Sequence, residues 1–185
     1  MGGYGSITLG LRNPELFISI GSTSGALEHA RQIARRMRGE APPRQESDLT
    51  PAERAEREAR RQRVNPLIGI DGFSSQAERT PLGQEFVTSE DADAYDPFTL
   101  IDKLSADQLP HIYLDCGTED WLIAGAREFA SILISRDIPF DYMQMPGAHN
   151  ANYWIQSVGR IMAVQYEVMQ RALGQRPFGR RRNEN

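Results

Sequence analysis

The amino-acid sequence predicts an α/β fold built on a parallel β-sheet. After Pro110 the hydrophobic pattern alternates strand, helix, strand and helix, which is the βαβ order of parallel sheets. An earlier apolar run, LFISIG at 16–21, ends at a glycine and is typical of a buried strand. The chain has 185 residues, which is enough for one ordinary domain with a sizeable core.

Two helices are predicted on either side of this first strand. Residues 2–12 are rich in glycine and form a short helix that Asn13-Pro14 ends. Residues 27–39 have the composition of a helix and end at Gly39, before a loop.

The middle of the chain is interpreted as an insertion, at 26–94, between two strands of the sheet. A surface helix begins there at Thr50, because Pro51 follows at the first helical position and Glu53 completes a capping box. Residues 64–100 have little periodicity and are predicted to be loop with short helices.

The last third has the clearest pattern. HIYLDCG at 111–117 and PFDYMQM at 139–145 are predicted strands, and they alternate with helices at 121–136 and 152–173. The inward faces are predicted from helical spacing: Leu122, Ala126, Phe129, Ala130 and Leu133 in the first helix, and Trp154, Val158, Ile161, Met162, Val168 and Met169 in the second.

Composition indicates a globular chain without membrane or nucleic-acid partners. Hydrophobic residues make up 39% and charged residues 25%, and no run of 18 apolar residues is present. The net charge is −4, although residues 31–63 hold ten arginines against six acidic residues and the tail is basic. A nucleic-acid patch is the alternative for these arginines, but no aromatic residues lie between them, so a solvated helix and tail are favoured. No signal peptide is visible, which means little if the true N-terminus is missing. The cytoplasm is slightly favoured, and the oligomeric state stays open.

Position relative to the sheet separates the three histidines. Active sites of parallel α/β sheets lie beyond the carboxyl ends of the strands. His29 lies in a predicted surface helix and His111 begins its strand, at the opposite edge. His149, in MPGAHNANYW, directly follows a strand and is the candidate catalytic histidine.

The neighbouring strand end, DCGTEDW, offers acidic partners for His149. Asp115 is still within the strand, whereas Glu119 and Asp120 lie in the following loop. An acid followed by a histidine at the next strand end fits the Asp…His order of a serine-hydrolase triad. The alternative role for Asp120 is to cap the helix at 121–136, and the two roles are compatible.

No residue of the chain is a strong candidate for the nucleophile. The stretch GSTSG at 21–25 has Thr23 where a nucleophile elbow requires serine. Ser6 lies inside the first predicted helix, and Cys116, the single cysteine, is expected to be a small core residue.

The first five residues, MGGYG, carry a more specific signal. They are similar to the second half of the elbow Gly-x-Ser-Met-Gly-Gly-Tyr-Gly found in α/β-hydrolase esterases of the esterase D, tributyrin esterase and feruloyl esterase group. The stretches LGLRNPELFISIGSTSGAL, YDPFTLIDKL, LPHIYLDCGTEDWL and RDIPFDYMQMPGAHNANYW also resemble this family. The resemblance covers most of the chain outside about 26–94. The family often has glycine or serine before the histidine and an aromatic residue after it, whereas Ala148 and Asn150 occupy these positions here.

The resemblance implies the C-terminal part of an α/β-hydrolase fold, with an elbow helix and about three parallel strands, and without the N-terminal half of the sheet. It implies Asp120 as triad acid, His149 as base and the backbone N–H of Met1 as an oxyanion-hole donor. The nucleophilic serine would directly precede Met1, outside this chain. The implied activity is that of a serine carboxylesterase on small-molecule esters, with no cofactor or metal, and the chain as given is expected to be inactive.

Two other interpretations stay open at this stage. A prolyl-oligopeptidase-type serine peptidase has the same order of acid and histidine. A non-catalytic interaction protein could use the remaining half-sheet as its binding surface.

Overall fold

The structure, a computed structural model, describes residues 1–40 and 86–174. The described residues divide between a larger unit, 1–32 and 93–174, and a smaller unit within 33–92. The predicted surface helix that begins at Thr50 and the basic tail lie outside the described residues. The insertion at 26–94 stays a prediction.

The larger unit is built on a three-stranded parallel sheet in the order β1-β2-β3. The strands are β1 (Ser19–Thr23), β2 (His111–Gly117) and β3 (Phe140–Met145). Ser19 pairs with His111 in the first ladder, and Ile112 pairs with Phe140 in the second. Because all strands run the same way, their carboxyl ends meet at one edge, where Thr23, Gly117 and Met145 end the strands.

Helices connect and flank these strands. The described helices are α1 (Gly2–Arg12), α2 (His29–Met37), α3 (Ser89–Asp93), α4 (Pro97–Asp102), α5 (Ile123–Ser135) and α6 (Ala151–Ala172). Short 3-10 helices at Pro14–Leu16 and Ala106–Gln108 lead into β1 and β2. The Asp96 side chain starts α4 by accepting from the N–H groups of Phe98 and Thr99.

The hydrophobic core lies on one face of the sheet, against α1, α4 and α5. Side chains alternate between faces along a strand, so Ile112 and Leu114 of β2 face this core together with Ile20 of β1. Phe98 of α4 meets Phe129 of α5 edge-to-face, with ring centroids 5.4 Å apart. The other core members are Ile7, Leu11, Leu27, Leu100, Ile101, Ala130, Leu133 and Ile138.

The opposite face of the sheet carries α6, and the contact there is largely polar. Only Tyr153 and Ser157 of α6 are buried. The predicted inward face of this helix is wrong for four of its six residues, because Trp154, Val158, Met162 and Met169 are exposed by 38–65%. The other two, Ile161 and Val168, are half-buried. Helical periodicity predicts which apolar side chains share a face of α6. It does not predict that this face is left exposed by the described residues.

The smaller unit contains the second half of α2 and most of α3. At the start of α3, the Thr88 hydroxyl accepts from the N–H of Asp91, and the Asp91 carboxylate accepts from the N–H of Thr88. Arg38 and Glu40, after α2, form an ion pair at 2.8 Å.

Most predicted elements are confirmed within two residues, and one strand is shifted. The strand expected at 16–21 is Ser19–Thr23, because Pro14 begins a 3-10 turn that includes Leu16. Leu16, Phe17 and Ile18 are exposed by 41–69%, so this apolar run is not the buried segment.

Candidate active site

The loop after β2 places Asp120 in a buried position with two hydrogen bonds. Its side chain is 1% exposed. Oδ1 accepts from the N–H of Leu122 at 2.9 Å, and Oδ2 lies 2.9 Å from Nδ1 of His149. Asp120 does not cap α5 directly, because that helix begins at Ile123. Its carboxylate instead accepts a hydrogen bond in the turn just before the helix.

The loop after β3 presents His149 to this carboxylate. The next residue, Asn150, caps α6 by accepting from the N–H of Tyr153 at 3.2 Å, which fixes where the loop ends. The imidazole lies between two indoles: its ring centroid is 4.4 Å from Trp121 and 5.0 Å from Trp154. Since Nδ1 faces a carboxylate, we assign the proton to Nδ1 and a free lone pair to Nε2.

The two loops approach each other closely because both contain glycine at the contact. The N–H of Thr118 donates to Met145 O at 2.9 Å, and the N–H of Glu119 donates to Gly147 O at 3.0 Å, which extends the β2–β3 ladder past the strands. A Cβ on Gly117 would lie 2.0 Å from the carbonyl oxygen of Gly147. Gly147 itself has φ +144°, a conformation that favours glycine.

A cleft of about 350 Å³ lies beside His149. The N-terminal end of α1 forms one wall, and α6 and the segment after β1 form the others. Its lining residues are Met1, Gly2, Gly3, Thr23, Ser24, His149, Trp154, Ser157, Val158 and Ile161. The predicted residues Met1 and His149 therefore lie on one cleft, together with the N–H groups that begin α1.

The start of α1 packs tightly against the GSTSG stretch. A Cβ on Gly3 would lie 2.9 Å from Gly25 Cα, and a Cβ on Gly25 would lie 3.0 Å from the carbonyl carbon of Gly3. Ser24, which precedes Gly25, has φ +50° and donates its N–H to the carbonyl oxygen of Asp115 at 2.8 Å. The glycines of MGGYG and GSTSG thus bring the helix end next to the carboxyl edge of β1.

Asp115 of β2 is a buried charged residue on the face of the sheet that carries α6. Its side chain is 2% exposed and accepts the Tyr113 hydroxyl at 3.1 Å. Burial raises the pKa of Asp115, and burial together with the Asp115 charge raises the pKa of Tyr113 and Tyr153. Asp115 lies off the His149 contact, as its position within the strand predicts.

The other two histidines and the single cysteine make contacts typical of structural residues. His111 lies at the opposite edge, as predicted, with Nδ1 2.9 Å from Ser19 Oγ and Nε2 2.8 Å from the Asp141 carboxylate. The His29 ring packs edge-on against Tyr4. Cys116 is buried in the core as expected, and burial raises the pKa of its thiol to about 12, which keeps it protonated and unreactive.

Sequence reasoning missed Trp121 and Ser157, and it gave Trp154 only as an inward residue of the last helix. Trp121 and Trp154 enclose the imidazole, while Ser24 and Ser157 line the cleft. Trp121 could have been found from the rule that already selected His149, since it lies a few residues after the end of β2. Ser157 lies one helical turn after Tyr153, and only the docking of α6 brings it to the cleft.

A parallel α/β sheet with an Asp–His pair at its carboxyl edge defines the class of this protein as hydrolase-like. The family model for Esterase, described as "Putative esterase", matches residues 1–163. The chain belongs to this family, and the resemblance seen in the sequence is confirmed.

Two solved structures from Staphylococcus aureus are similar to this chain. Fluorophosphonate-binding serine hydrolase F, with substrate bound, has a TM-score of 0.56 at 21% identity, over 89% of this chain and 50% of its own. The S-formylglutathione hydrolase apoenzyme has a TM-score of 0.53 at 22% identity, over 89% of this chain and 51% of its own. At this identity the match shows the α/β-hydrolase fold, and the chain spans about half the length of these proteins. A sequence search of the curated proteins finds no significant match.

Residues 1–40 and 86–174 contain neither a membrane-spanning helix nor a metal-binding cluster. No helix in these ranges is long and apolar enough to cross a membrane. The same ranges contain no cluster of three or more histidine, cysteine, aspartate or glutamate side chains suited to a metal ion.

Proposed function

We propose that this chain carries the acid and base of a serine-type carboxylic ester hydrolase. The observation that carries the proposal is the 2.9 Å contact between the buried Asp120 carboxylate and Nδ1 of His149, beside the cleft. Family membership supports ester bonds as the target.

In this mechanism Asp120 holds the imidazole in one tautomer, with Nε2 as the base. Nε2 takes the proton of a serine hydroxyl as the serine oxygen attacks the ester carbonyl. His149 then returns the proton to the leaving alcohol, and an acyl-serine remains. Water, deprotonated by the same Nε2, then attacks the acyl-serine. His149 returns this proton to the serine oxygen as the acyl–oxygen bond breaks, which releases the carboxylic acid and restores the serine.

The N-terminal end of α1 is proposed to stabilise the negative charge on the carbonyl oxygen. The N–H groups there lack intrahelical partners, and the helix dipole favours an anion. Met1, at the end of this helix on the cleft, is the proposed donor. The serine is proposed to precede Met1 in the elbow motif, so the 185-residue chain alone is expected to be inactive.

Hydrolysis of p-nitrophenyl acetate tests this proposal in two forms of the protein. The 185-residue chain is expected to show no turnover above a denatured control. A longer chain, extended through an in-frame Gly-x-Ser and the preceding half of the fold, is expected to turn over the ester, and His149→Ala is expected to remove nearly all of that activity. An active 185-residue chain would place the nucleophile within it, with Thr23 or Ser24 next to be tested, and an extended chain insensitive to His149→Ala would overturn the mechanism.

A further inference from the structure

Asp120 and His149 belong to separate loops, so their contact depends on how those loops are held together. Past the end of β2, the N–H of Thr118 donates to the carbonyl of Met145, the last residue of β3, and the N–H of Glu119 donates to the carbonyl of Gly147 in the His149 loop. These bonds run in one direction only, from the acid loop to β3 and the histidine loop.

The Glu119 side chain supplies the bond in the other direction. Its Oε2 accepts from the N–H of Gly147, while its own N–H donates to the carbonyl oxygen of the same glycine. One residue of the acid loop therefore holds both polar backbone groups of Gly147. The other carboxylate oxygen, Oε1, accepts the Thr118 hydroxyl at 2.7 Å, which orients the carboxylate.

Gly147 is well placed to transmit this restraint to His149. It lies two residues before the histidine and is confined on its other side, where a Cβ would be 2.5 Å from the Tyr153 ring. Its φ of +144° is a conformation that favours glycine, so the chain turns at this residue just before the histidine. A loop bonded on one side and packed on the other presents the imidazole in a single orientation.

We infer that Glu119 is a positioning residue, which fixes the His149 loop on the Asp120 loop through its paired hydrogen bonds to Gly147. Glu119 touches neither substrate nor imidazole in this role. The inference rests on the proposed function, because a fixed imidazole matters only if His149 is the base.

The experiment replaces Glu119 in the 185-residue chain and follows the loop by NMR. Glu119→Met keeps the length of the side chain and removes its acceptor, whereas Glu119→Gln keeps an oxygen that can accept from Gly147. Glu15→Met, on an exposed glutamate of the Pro14–Leu16 turn, controls for the change in charge. Circular dichroism checks that each variant folds.

In Glu119→Met, amide exchange at Gly147 is expected to accelerate about fivefold or more, because its acceptor is lost. In the same variant, the Nδ1 proton of His149 is also expected to exchange with solvent faster than in the parent. Glu119→Gln and Glu15→Met are expected to keep both rates near those of the parent. A general loss of stability would instead accelerate exchange throughout the sheet.

Unchanged exchange at Gly147 in a folded Glu119→Met chain would overturn the inference. If that variant does not fold, Glu119→Ala, which also removes the acceptor, decides: faster exchange at Gly147 than in the parent supports the inference, and an unchanged rate overturns it. Neither readout uses ester hydrolysis, so failure of the proposed function would be seen separately, as an inactive extended chain with a normally protected Gly147.

Discussion

Replacing Asp115 by asparagine is expected to stabilise the folded chain at neutral pH. The side chain of Asp115 is 2% exposed, and Oδ1 has no hydrogen-bond partner among the described residues. Burial raises the pKa of Asp115 above its ordinary value of 3.8, and the opposing effects of Tyr153, Tyr113, Arg160 and Ser157 are smaller. The ionised carboxylate is therefore less favourable in the folded chain than in the unfolded one.

The effect depends on proton linkage and on the buried acceptor. Because the folded state binds the proton more tightly, stability falls as pH rises from the unfolded-state pKa and reaches its lower level above the folded-state pKa. Linkage gives the sign of the effect, and its size follows from the buried acceptor, since one left unsatisfied costs about 1–3 kcal/mol. We therefore expect Asp115→Asn to raise the free energy of unfolding by about 1–2 kcal/mol at pH 7. Below about pH 4, where both forms are neutral, the difference is expected to shrink.

Urea unfolding followed by circular dichroism, repeated between about pH 4 and 8, measures this difference. Asp137→Asn is a matched control, because Asp137 is exposed in a turn at φ +52°, a conformation that asparagine also adopts. An Asp115→Asn chain that is less stable than the parent at pH 7, by an amount independent of pH, would refute the argument. In that case the attraction between the Asp115 carboxylate and Arg160 would stabilise the folded chain by more than burial of the carboxylate destabilises it.

The remaining predictions concern the dyad, the glycine contact and the exposed helix face. In the extended chain, Asp120→Asn is expected to lower turnover of p-nitrophenyl acetate by up to about 10⁴-fold, through the wrong imidazole tautomer; a loss below tenfold would remove Asp120 from the triad. Gly147→Ala is expected to cost about 1–3 kcal/mol in urea unfolding, because of its positive φ and the nearby Tyr153 ring, whereas Gly159→Ala, with no atom near the added Cβ, is expected to gain about 0.4–1 kcal/mol. The 185-residue chain is expected to self-associate through the edge of β1, which pairs with no second strand among the described residues, and through the apolar face of α6. Ile155→Glu with Met162→Lys, on exposed side chains of α6, is expected to shift sedimentation toward the monomer. A parent chain that sediments as a monomer at all concentrations would contradict that expectation.

The fold class and most element boundaries could be predicted because the sequence patterns are local. β2 coincides with the predicted strand at 111–117, and α1 with the predicted helix at 2–12. The shift of β1 shows the limit of this reasoning. An apolar run indicates a strand, but where pairing starts depends on the turn before it and on the neighbouring strand, which lies more than 90 residues away at His111.

The site was predictable to the extent that topology fixes it. The rule that parallel strands end at one edge brings Asp120 and His149 together, and the structure places their side chains 2.9 Å apart. Choosing Asp120 over Glu119 needed the family resemblance, since both lie in the same loop. Three-dimensional packing was needed to see that Glu119 contacts the histidine loop through Gly147, because nothing in the sequence pairs residues 119 and 147.

The Asp120–His149 pair is held by different elements of the fold from those that would supply the rest of the proposed site. The acid and the base come from neighbouring strands, β2 and β3, and their loops are held together by bonds that involve no other element. The proposed oxyanion donor comes from α1, which reaches the cleft through the contact of Gly3 with Gly25. The Asp120–His149 contact therefore needs neither α1 nor a nucleophile in order to form. A chain without ester hydrolysis would still hold its imidazole against Asp120, so structural measurements on His149 report on the proposed site independently of turnover.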